Sequence, residues 1–159
     1  MNDASRDGRT PHAKGRPRIS RLGIGDAEAL LALLTGQDVW PRPRSADIIE
    51  FLGRNDAATF GLRAADGLRG AVSTLVEGAV AHVLWIAFDP DTVAEMRLAL
   101  EELAAFAKAS GSAMLFAQVE QGSAAHRALL GCGFAEDYDE REVTRGRPRI
   151  LVDLVRALG

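Results

Sequence analysis

The sequence has little of what extracellular and membrane proteins contain. It has a single cysteine, Cys132, among 159 residues, so no internal disulfide can form and a reducing cytoplasm is the expected compartment. Its uninterrupted apolar runs, of which 83–88 is among the longest, fall far short of the roughly 20 residues that cross a bilayer. No apolar stretch follows the basic residues of the N-terminal segment, which argues against a secretory signal. We therefore expect a cytoplasmic protein with no membrane segment.

Acidic residues outnumber basic ones outside the N-terminal tail. Residues 1–18 have a charge balance of +3, so the rest of the chain, whose total is −3, carries −6. The tail has almost no large apolar side chain that could offset its ordering entropy, and we predict a disordered basic tail over 1–17 and one folded domain over 18–159. The acidic body argues against general nucleic-acid binding, which needs clustered positive charge.

Two kinds of apolar spacing alternate from residue 18 onward. Apolar side chains three or four residues apart predict helices, and short alternating or continuous apolar runs predict strands. Asp66-Gly67 between two apolar runs indicates a hairpin, and the almost continuous apolar run 79–88 indicates a central strand covered on both faces. The predicted strands are 18–22, 59–64, 68–76, 79–88, 113–119, 136–144 and 149–155, and the predicted helices are 27–35, 45–53, 92–110 and 124–130. This order predicts an α/β fold of three layers, with a mixed, mostly antiparallel sheet and helices on both faces.

Three local strings within this order resemble the GCN5-related N-acetyltransferase superfamily. The first, 60–70 (FGLRAADGLRG), looks like a glycine-containing hairpin of that family. The second, 100–104 (LEELA) followed by Gly111, looks like the end of its third helix. The third, 125–134 (AHRALLGCGF), looks like its short helix with the Gly-Phe pair that follows. The resemblance covers about residues 18–158.

The resemblance implies an N-acyltransferase that moves an acyl group, such as acetyl, from acyl-CoA to the amine of a small molecule or a peptide. It also implies that the central strand and the next strand separate to admit the pantetheine. The following helix then offers backbone N–H groups to the pyrophosphate, since a helix N-terminus binds anions. The cofactor-binding residues implied on this chain lie on the central strand, at the start of the long helix and around the short helix, and are Ile86, Phe88, Ala94, Met96, Ser123 and His126.

The sequence departs from the family's pattern where the chemistry takes place. The glycine-rich phosphate loop has no counterpart, because no glycine occurs between 79 and 110. We predict that Asp89 and Asp91 cap the long helix themselves and repel a pyrophosphate there. Leu129, which cannot donate a proton, stands where the family commonly has a tyrosine. The alternative to an enzyme is therefore a binding or regulatory module of the same fold that does not use acyl-CoA and acts as a homodimer or with a protein partner.

Few side chains remain as candidates for proton transfer. Glu77 precedes the central strand, near where the resemblance implies a carboxylate base, and His82 is a second candidate because imidazole titrates near neutral pH. A lone histidine in an apolar run is also typical of a hydrogen-bonded core residue. Tyr138 is the only phenolic acid, and Cys132 lacks a visible His and Asp constellation, which favours a small buried residue over a nucleophile. No His/Cys cluster has metal-ligand spacing, so we expect no metal.

Two further patterns concern charge. The sequence Gly-Arg-Pro-Arg-Ile occurs at 15–19 and again at 146–150, and it resembles the AT-hook, a minor-groove DNA ligand. The other interpretation is a pair of strand entries preceded by basic turns, and the acidic body disfavours DNA as a partner. Five carboxylates within 136–142 would attract a cationic amine, or would keep an edge strand from pairing with another chain.

Overall fold

A computed structural model describes residues 15–37, 39, 43–143 and 148–159, with the backbone alone for 138–143. Residues 1–14 of the predicted tail lie outside the described residues. Each predicted element is present, and its ends agree with the prediction within two residues. The strands are β1 Arg18–Arg21, β2 Ala57–Ala64, β3 Gly67–Glu77, β4 Val80–Phe88, β5 Met114–Glu120, β6 Ala135–Val143 and β7 Arg149–Ala157, and the helices are α1 Ala27–Gly36, α2 Ser45–Leu52, α3 Val93–Ala109 and α4 Ala124–Leu130.

The strands form one mixed sheet in the order β1-β2-β3-β4-β5-β7-β6. β4 and β5 are parallel, and every other neighbouring pair is antiparallel. α3 connects the parallel pair, because a parallel pair needs a crossover connection. α1 and α2 pack on one face of the sheet, and α3 and α4 pack on the other. The predicted three-layer α/β fold with helices on both faces is therefore confirmed.

Each layer of helices covers its own apolar core. Leu30, Leu34, Ile48 and Trp85 lie between the sheet and the pair α1–α2, and all of them are buried. Large side chains with no exposed area fill the core between the sheet and the pair α3–α4, among them Met96, Leu100, Leu103, Leu115, Leu129 and Leu154. Burying one such side chain contributes roughly 1.5–3 kcal/mol, so both layers stabilise the central strands.

β4 contains one irregularity. Ser73 of β3 pairs with Trp85, whereas the next residue, Thr74, pairs with Val83, so Leu84 is an extra residue in β4. Side chains two residues apart on a regular strand share a face, yet Val83 joins the α3–α4 core and Trp85 joins the α1–α2 core. Leu84 is thus a β-bulge, which bends its strand and increases the local twist.

Gly70 of β3 allows α3 to approach the sheet closely. A Cβ atom at this position would lie 2.9 Å from Cδ1 of Leu62, 3.0 Å from Cβ of Phe88 and 3.1 Å from Cε of Met96. These three side chains are themselves almost fully buried. The missing side chain of Gly70 therefore sets how closely the end of β4 and the first turn of α3 pack on β3.

We predict that Gly70→Ala destabilises the protein, because the new methyl group has to displace side chains of a close-packed core. Overpacking of this kind costs roughly 1–3 kcal/mol, which lowers Tm by about 2–10 °C in a chain of this size. Gly25→Ala is the matched control, since a Cβ atom at Gly25 has no neighbour within 4 Å. Thermal unfolding followed by circular dichroism compares the variants, and an unchanged Tm for Gly70→Ala would contradict the packing argument.

Candidate functional site

β4 and β5 separate halfway along their length. Their parallel pairing covers 80–83 of β4 and 114–117 of β5, and stops there. β4 continues to Phe88 while it pairs with β3, and β5 continues to Glu120 while it pairs with β7. The bulge at Leu84 comes directly after the last paired residue of β4. The two central strands are therefore separated along their second halves.

A cleft of about 270 Å³ occupies the gap between the separated strands. This volume lies just below the roughly 300–1,000 Å³ of sites for drug-sized ligands, so the cleft suits a narrow chain more than a bulky ring system. Its walls come from β4, the end of β5, the start of β7 and the first residues of α4. The apolar side chains on these walls are Val83, Leu84, Ile86, Phe88, Val119 and Leu151.

Three of the six candidate cofactor-binding residues line this cleft, namely Ile86, Phe88 and Ser123. Ser123 is the N-cap of α4, and its Oγ accepts a hydrogen bond from the backbone N–H of His126 at 3.1 Å. Such a cap satisfies one of the free N–H groups at the start of a helix. Ser123 therefore also fixes the first turn of α4 as one wall of the cleft.

His126 has a structural environment. Its Nδ1 accepts a hydrogen bond from the backbone N–H of Gly122 at 2.9 Å, so in the neutral ring the proton is on Nε2. Nε2 donates to Glu136 Oε1 at 2.7 Å, and the residue is only 7% exposed. Nδ1 thus ties α4 to the turn that precedes it, and Nε2 ties α4 to β6. The ring is not among the groups that line the cleft.

Ala94 and Met96 lie in the first turn of α3 and differ in what they expose. Ala94 is exposed, so a ligand can reach the backbone at this position. Met96 has no exposed area, because its side chain packs in the core beneath Gly70. The side chain of Met96 cannot contact a cofactor, and only its backbone could do so.

An arginine, Arg69, holds both Asp89 and Asp91. Neither Asp89 nor Thr92, the residues at the two N-cap positions here, makes a side-chain cap hydrogen bond. Arg69 Nε donates to Asp89 at 3.0 Å, and Arg69 Nη2 donates to both oxygens of Asp91 at 2.8 Å. These hydrogen bonds, first to Asp91 and then to Asp89, raise the pKa of Arg69 above its ordinary value. The predicted capping by the side chain of Asp89 is therefore wrong, because β3 places a guanidinium with an 11% exposed side chain beside this carboxylate.

The structure brings Glu77 and His82 together but not to the cleft. His82 Nε2 lies 3.2 Å from Glu77 Oε2, at the hairpin that joins β3 to β4. The His82 ring also meets the ring of Phe116 edge-on, with 5.6 Å between the centroids. Neither of the two candidate catalytic residues lines the cleft, which begins one residue further along β4.

A polar group at the cleft was missed by sequence reasoning. Gln118 and Glu120 of β5 and Arg149 of β7 line the cleft. Arg149 Nη1 lies 3.3 Å from Glu120 Oε2, and Gln118 Nε2 donates to Asp153 Oδ1 at 2.9 Å. The two β7 residues in these pairs, Arg149 and Asp153, are nearly buried, with exposed fractions of 8% and 6%. The available signal was the even spacing of polar side chains on two apolar strands, two residues apart for Gln118 and Glu120 and four for Arg149 and Asp153, because such residues share one face of the sheet.

Arg149 also bears on the resemblance to an AT-hook. An AT-hook arginine has to enter the minor groove, whereas Arg149 is buried in β7 against Glu120. Residues 146 and 147 of this copy lie outside the described residues. The other copy, 15–19, lies wholly within the described residues, and Arg18 begins β1. The described part of both copies thus fits the interpretation as strand entries.

The remaining candidates do not add to the site. The side chain of Tyr138 lies outside the described residues. Cys132 is 9% exposed, and burial, followed by the charge of Glu101, raises the pKa of its thiol. Among the residues described above, no group of three His, Cys, Asp or Glu side chains could hold a metal ion. In the same part of the chain, no helix is long and apolar enough to cross a membrane.

We predict that Cys132 reacts with iodoacetamide at pH 7 at least about tenfold more slowly in the folded protein than in concentrated urea. The raised pKa leaves little thiolate, and burial blocks the approach of the reagent. Mass spectrometry of the alkylated fraction over time measures the rate, with N-acetylcysteine in the same two solutions as the control. Equal rates for the folded and unfolded protein would show that the thiol is accessible.

Similar solved structures share one fold. The ribosomal-protein-S18-alanine N-acetyltransferase from Escherichia coli has a TM-score of 0.74 and 22% identity, over 89% of this chain and 94% of that one. An acetyltransferase of the GNAT family from Streptococcus pneumoniae has a TM-score of 0.71 and 18% identity, over 88% of this chain and 98% of that one. The spermidine N-acetyltransferase from Vibrio cholerae was solved with CoA and spermine. It has a TM-score of 0.65 and 15% identity, over 89% of this chain and 95% of that one. Protein-family models and curated proteins give no match to the sequence. The chain has the fold of the GCN5-related N-acetyltransferases (GNAT), as the resemblance of its sequence implied.

Proposed function

We propose that this chain transfers an acyl group from acyl-CoA to an amine. The observation that carries the proposal is the gap between β4 and β5, where pairing ends after Val83 and a cleft with apolar walls follows. Two parallel strands gain hydrogen bonds by staying together, so their separation favours a ligand between them. The fold supports the same activity, since the spermidine N-acetyltransferase of similar structure was solved with CoA and spermine.

The walls of the cleft fit the pantetheine part of acyl-CoA. Ile86, Phe88 and Val119 offer apolar contacts to a chain of methylene and methyl groups. Beyond Val83, the facing edges of β4 and β5 are not paired with each other, so their backbone groups can hydrogen-bond to the amides of such a chain. Acyl-CoA would supply an acyl group activated as a thioester. The residues of this chain hold that group between the strands and limit its contact with water.

We propose that Glu120 accepts the proton that the acceptor amine loses. This carboxylate lies on the cleft at the end of β5, its side chain is 26% exposed, and Arg149 holds one of its oxygens. An ammonium group becomes a nucleophile only after it loses a proton, and a carboxylate within hydrogen-bond distance or one water away can accept that proton. The negative charge of Glu120 also attracts the ammonium form. Glu77 is the competing candidate, paired with His82 outside the cleft.

One observation favours a second function, a binding module that does not use acyl-CoA. Asp89 and Asp91 place two carboxylates at the start of α3, where the family resemblance puts the pyrophosphate. Arg69 neutralises part of this charge, but its Nε and Nη2 already donate to the two carboxylates. A diphosphate would have to displace one carboxylate or lie beside both, which costs electrostatic energy. The affinity for acyl-CoA therefore separates the two functions.

We predict that the protein binds acetyl-CoA with a Kd tighter than about 100 µM, a binding free energy of roughly 5–6 kcal/mol. Asp91→Asn should bind it several-fold more tightly, because the variant removes one negative charge near the phosphates. Its amide oxygen can still accept a hydrogen bond from Arg69. Isothermal titration with acetyl-CoA measures both affinities.

The matched control for this charge change is Asp56→Asn. Asp56 is also a carboxylate paired with an arginine, Arg54, but it lies next to the opposite end of β3. Its exchange should leave the affinity unchanged within about twofold. If neither the wild type nor Asp91→Asn gives heat at millimolar acetyl-CoA, the proposed transfer is wrong and the binding module remains.

We predict that Glu120→Gln lowers kcat/KM for the acceptor by about 100-fold or more, since positioned acid–base groups contribute roughly 10²–10⁴-fold. The affinity for acetyl-CoA should change little, because the amide keeps the shape of the side chain. Release of the free CoA thiol measures turnover. Spermine and a peptide with an N-terminal alanine serve as acceptors, following the substrates named for the similar structures.

Glu77→Gln makes the same chemical change at the competing position. We expect it to reduce kcat/KM by less than about threefold, because Glu77 lies outside the cleft. A large loss for Glu77→Gln together with normal turnover for Glu120→Gln would move the base to the Glu77–His82 pair. No turnover with either acceptor in the wild type would exclude these two amine classes.

A further inference from the structure

Thr74 of β3 lies opposite the bulge in β4. It pairs with Val83, the preceding residue Ser73 pairs with Trp85, and Leu84 is the extra residue between these two pairs. The Thr74 side chain has no exposed area, and its Oγ1 donates a hydrogen bond to the backbone carbonyl of His82 at 2.9 Å. The hydroxyl therefore bonds to β4 just before the strand leaves β5.

A bulge at this position needs such a donor. The extra residue disrupts the ladder, so backbone groups of the bulged strand lose regular partners. A buried carbonyl without a donor is costly, and the Thr74 hydroxyl supplies one to His82. Threonine is branched at Cβ, which restricts the directions in which the hydroxyl can point. The hydroxyl is thus held toward the His82 carbonyl, which belongs to the residue before Val83.

We propose that Thr74 fixes the bulge at Leu84 and so sets the point at which β4 leaves β5. Val83 is both the pairing partner of Thr74 and the last residue of β4 that pairs with β5. A bulge displaced by one residue would turn a side chain such as Trp85 to the other face and move the end of the β4–β5 pairing. Thr74 does not line the cleft, and it is a positioning residue that acts through the backbone of β4. Its effect on the cofactor rests on the proposed function, whereas its effect on the bulge does not.

The test uses two exchanges at Thr74 and a matched control. Thr74→Val keeps the branched shape and removes the hydroxyl, and Thr74→Ser keeps the hydroxyl. The control is Thr59→Val, because Thr59 of β2 is 1% exposed and its Oγ1 lies 2.9 Å from Ser73 Oγ. Ser73 flanks the bulge, so the control removes a buried hydroxyl contact beside the bulge while the bond from Thr74 to β4 remains. Should Thr74→Val not fold, Thr74→Ala and Thr59→Ala take the places of the valine variants.

The first measurement is isothermal titration with acetyl-CoA, together with Tm. We expect Thr74→Val to weaken the affinity about tenfold, which corresponds to about 1.4 kcal/mol. Thr74→Ser should stay within about twofold of the wild type, and so should Thr59→Val even where its Tm falls as far as that of Thr74→Val. Unchanged affinity in Thr74→Val, or an equal loss in Thr59→Val, overturns the positioning role.

The second measurement is amide hydrogen exchange without ligand, which does not depend on the proposed function. We expect the amides of Val83, Leu84 and Trp85 to exchange at least about tenfold faster in Thr74→Val than in Thr59→Val. If the wild type fails to bind acetyl-CoA, the proposed function is wrong and exchange alone decides the role of Thr74. Equal exchange at these three amides in the two variants overturns the inference.

Discussion

The structure depends on how differently β4 pairs with its two neighbouring strands, β3 and β5. This strand pairs with β3 along its length, but the extra residue Leu84 bends it away from β5 after four paired positions. The same residue sends Val83 into the core beneath α3 and α4, and Trp85 into the core beneath α1 and α2, where its ring lies 4.8 Å from that of Phe51. β4, which forms one wall of the cleft, therefore packs in both cores. This packing makes the wall a rigid element of the sheet.

Two arginines set the charges around this cleft. Arg69 and Arg149 have side chains that are 11% and 8% exposed, and a guanidinium so far removed from water needs anionic partners. The partners are the more exposed carboxylates Asp89, Asp91 and Glu120. The carboxylate at the end of β5 would attract an ammonium group, while those at the start of α3 oppose a phosphate. Pairs of a buried arginine with exposed carboxylates thus place negative charge both at the end of β5 and at the start of α3.

The sequence predicted the elements better than the site. Helix and strand periodicity, and turn residues such as Asp66-Gly67, are local, so the element ends agree within two residues. Ile86 and Ser123 line the cleft because their positions on a strand and at a helix start follow from that local order. Met96 and His126 have the same kind of local signal, yet one is buried in the core and the other is hydrogen-bonded to β6. Burial and pairing of a side chain depend on the element that packs over it, which spacing alone does not reveal.

The order of elements, the central strand covered on both faces and the GNAT fold were all determined by the sequence, because they follow from periodicity, turn chemistry and local strings. Only the tertiary structure decided that Arg69 holds Asp91, that Glu120 and not Glu77 lies on the cleft, and that the sheet opens after Val83. These features depend on which residue of one strand lies opposite which residue of the next. A shift of one position reverses the face of every side chain beyond it, and the almost continuous apolar run 79–88 does not mark where the bulge lies.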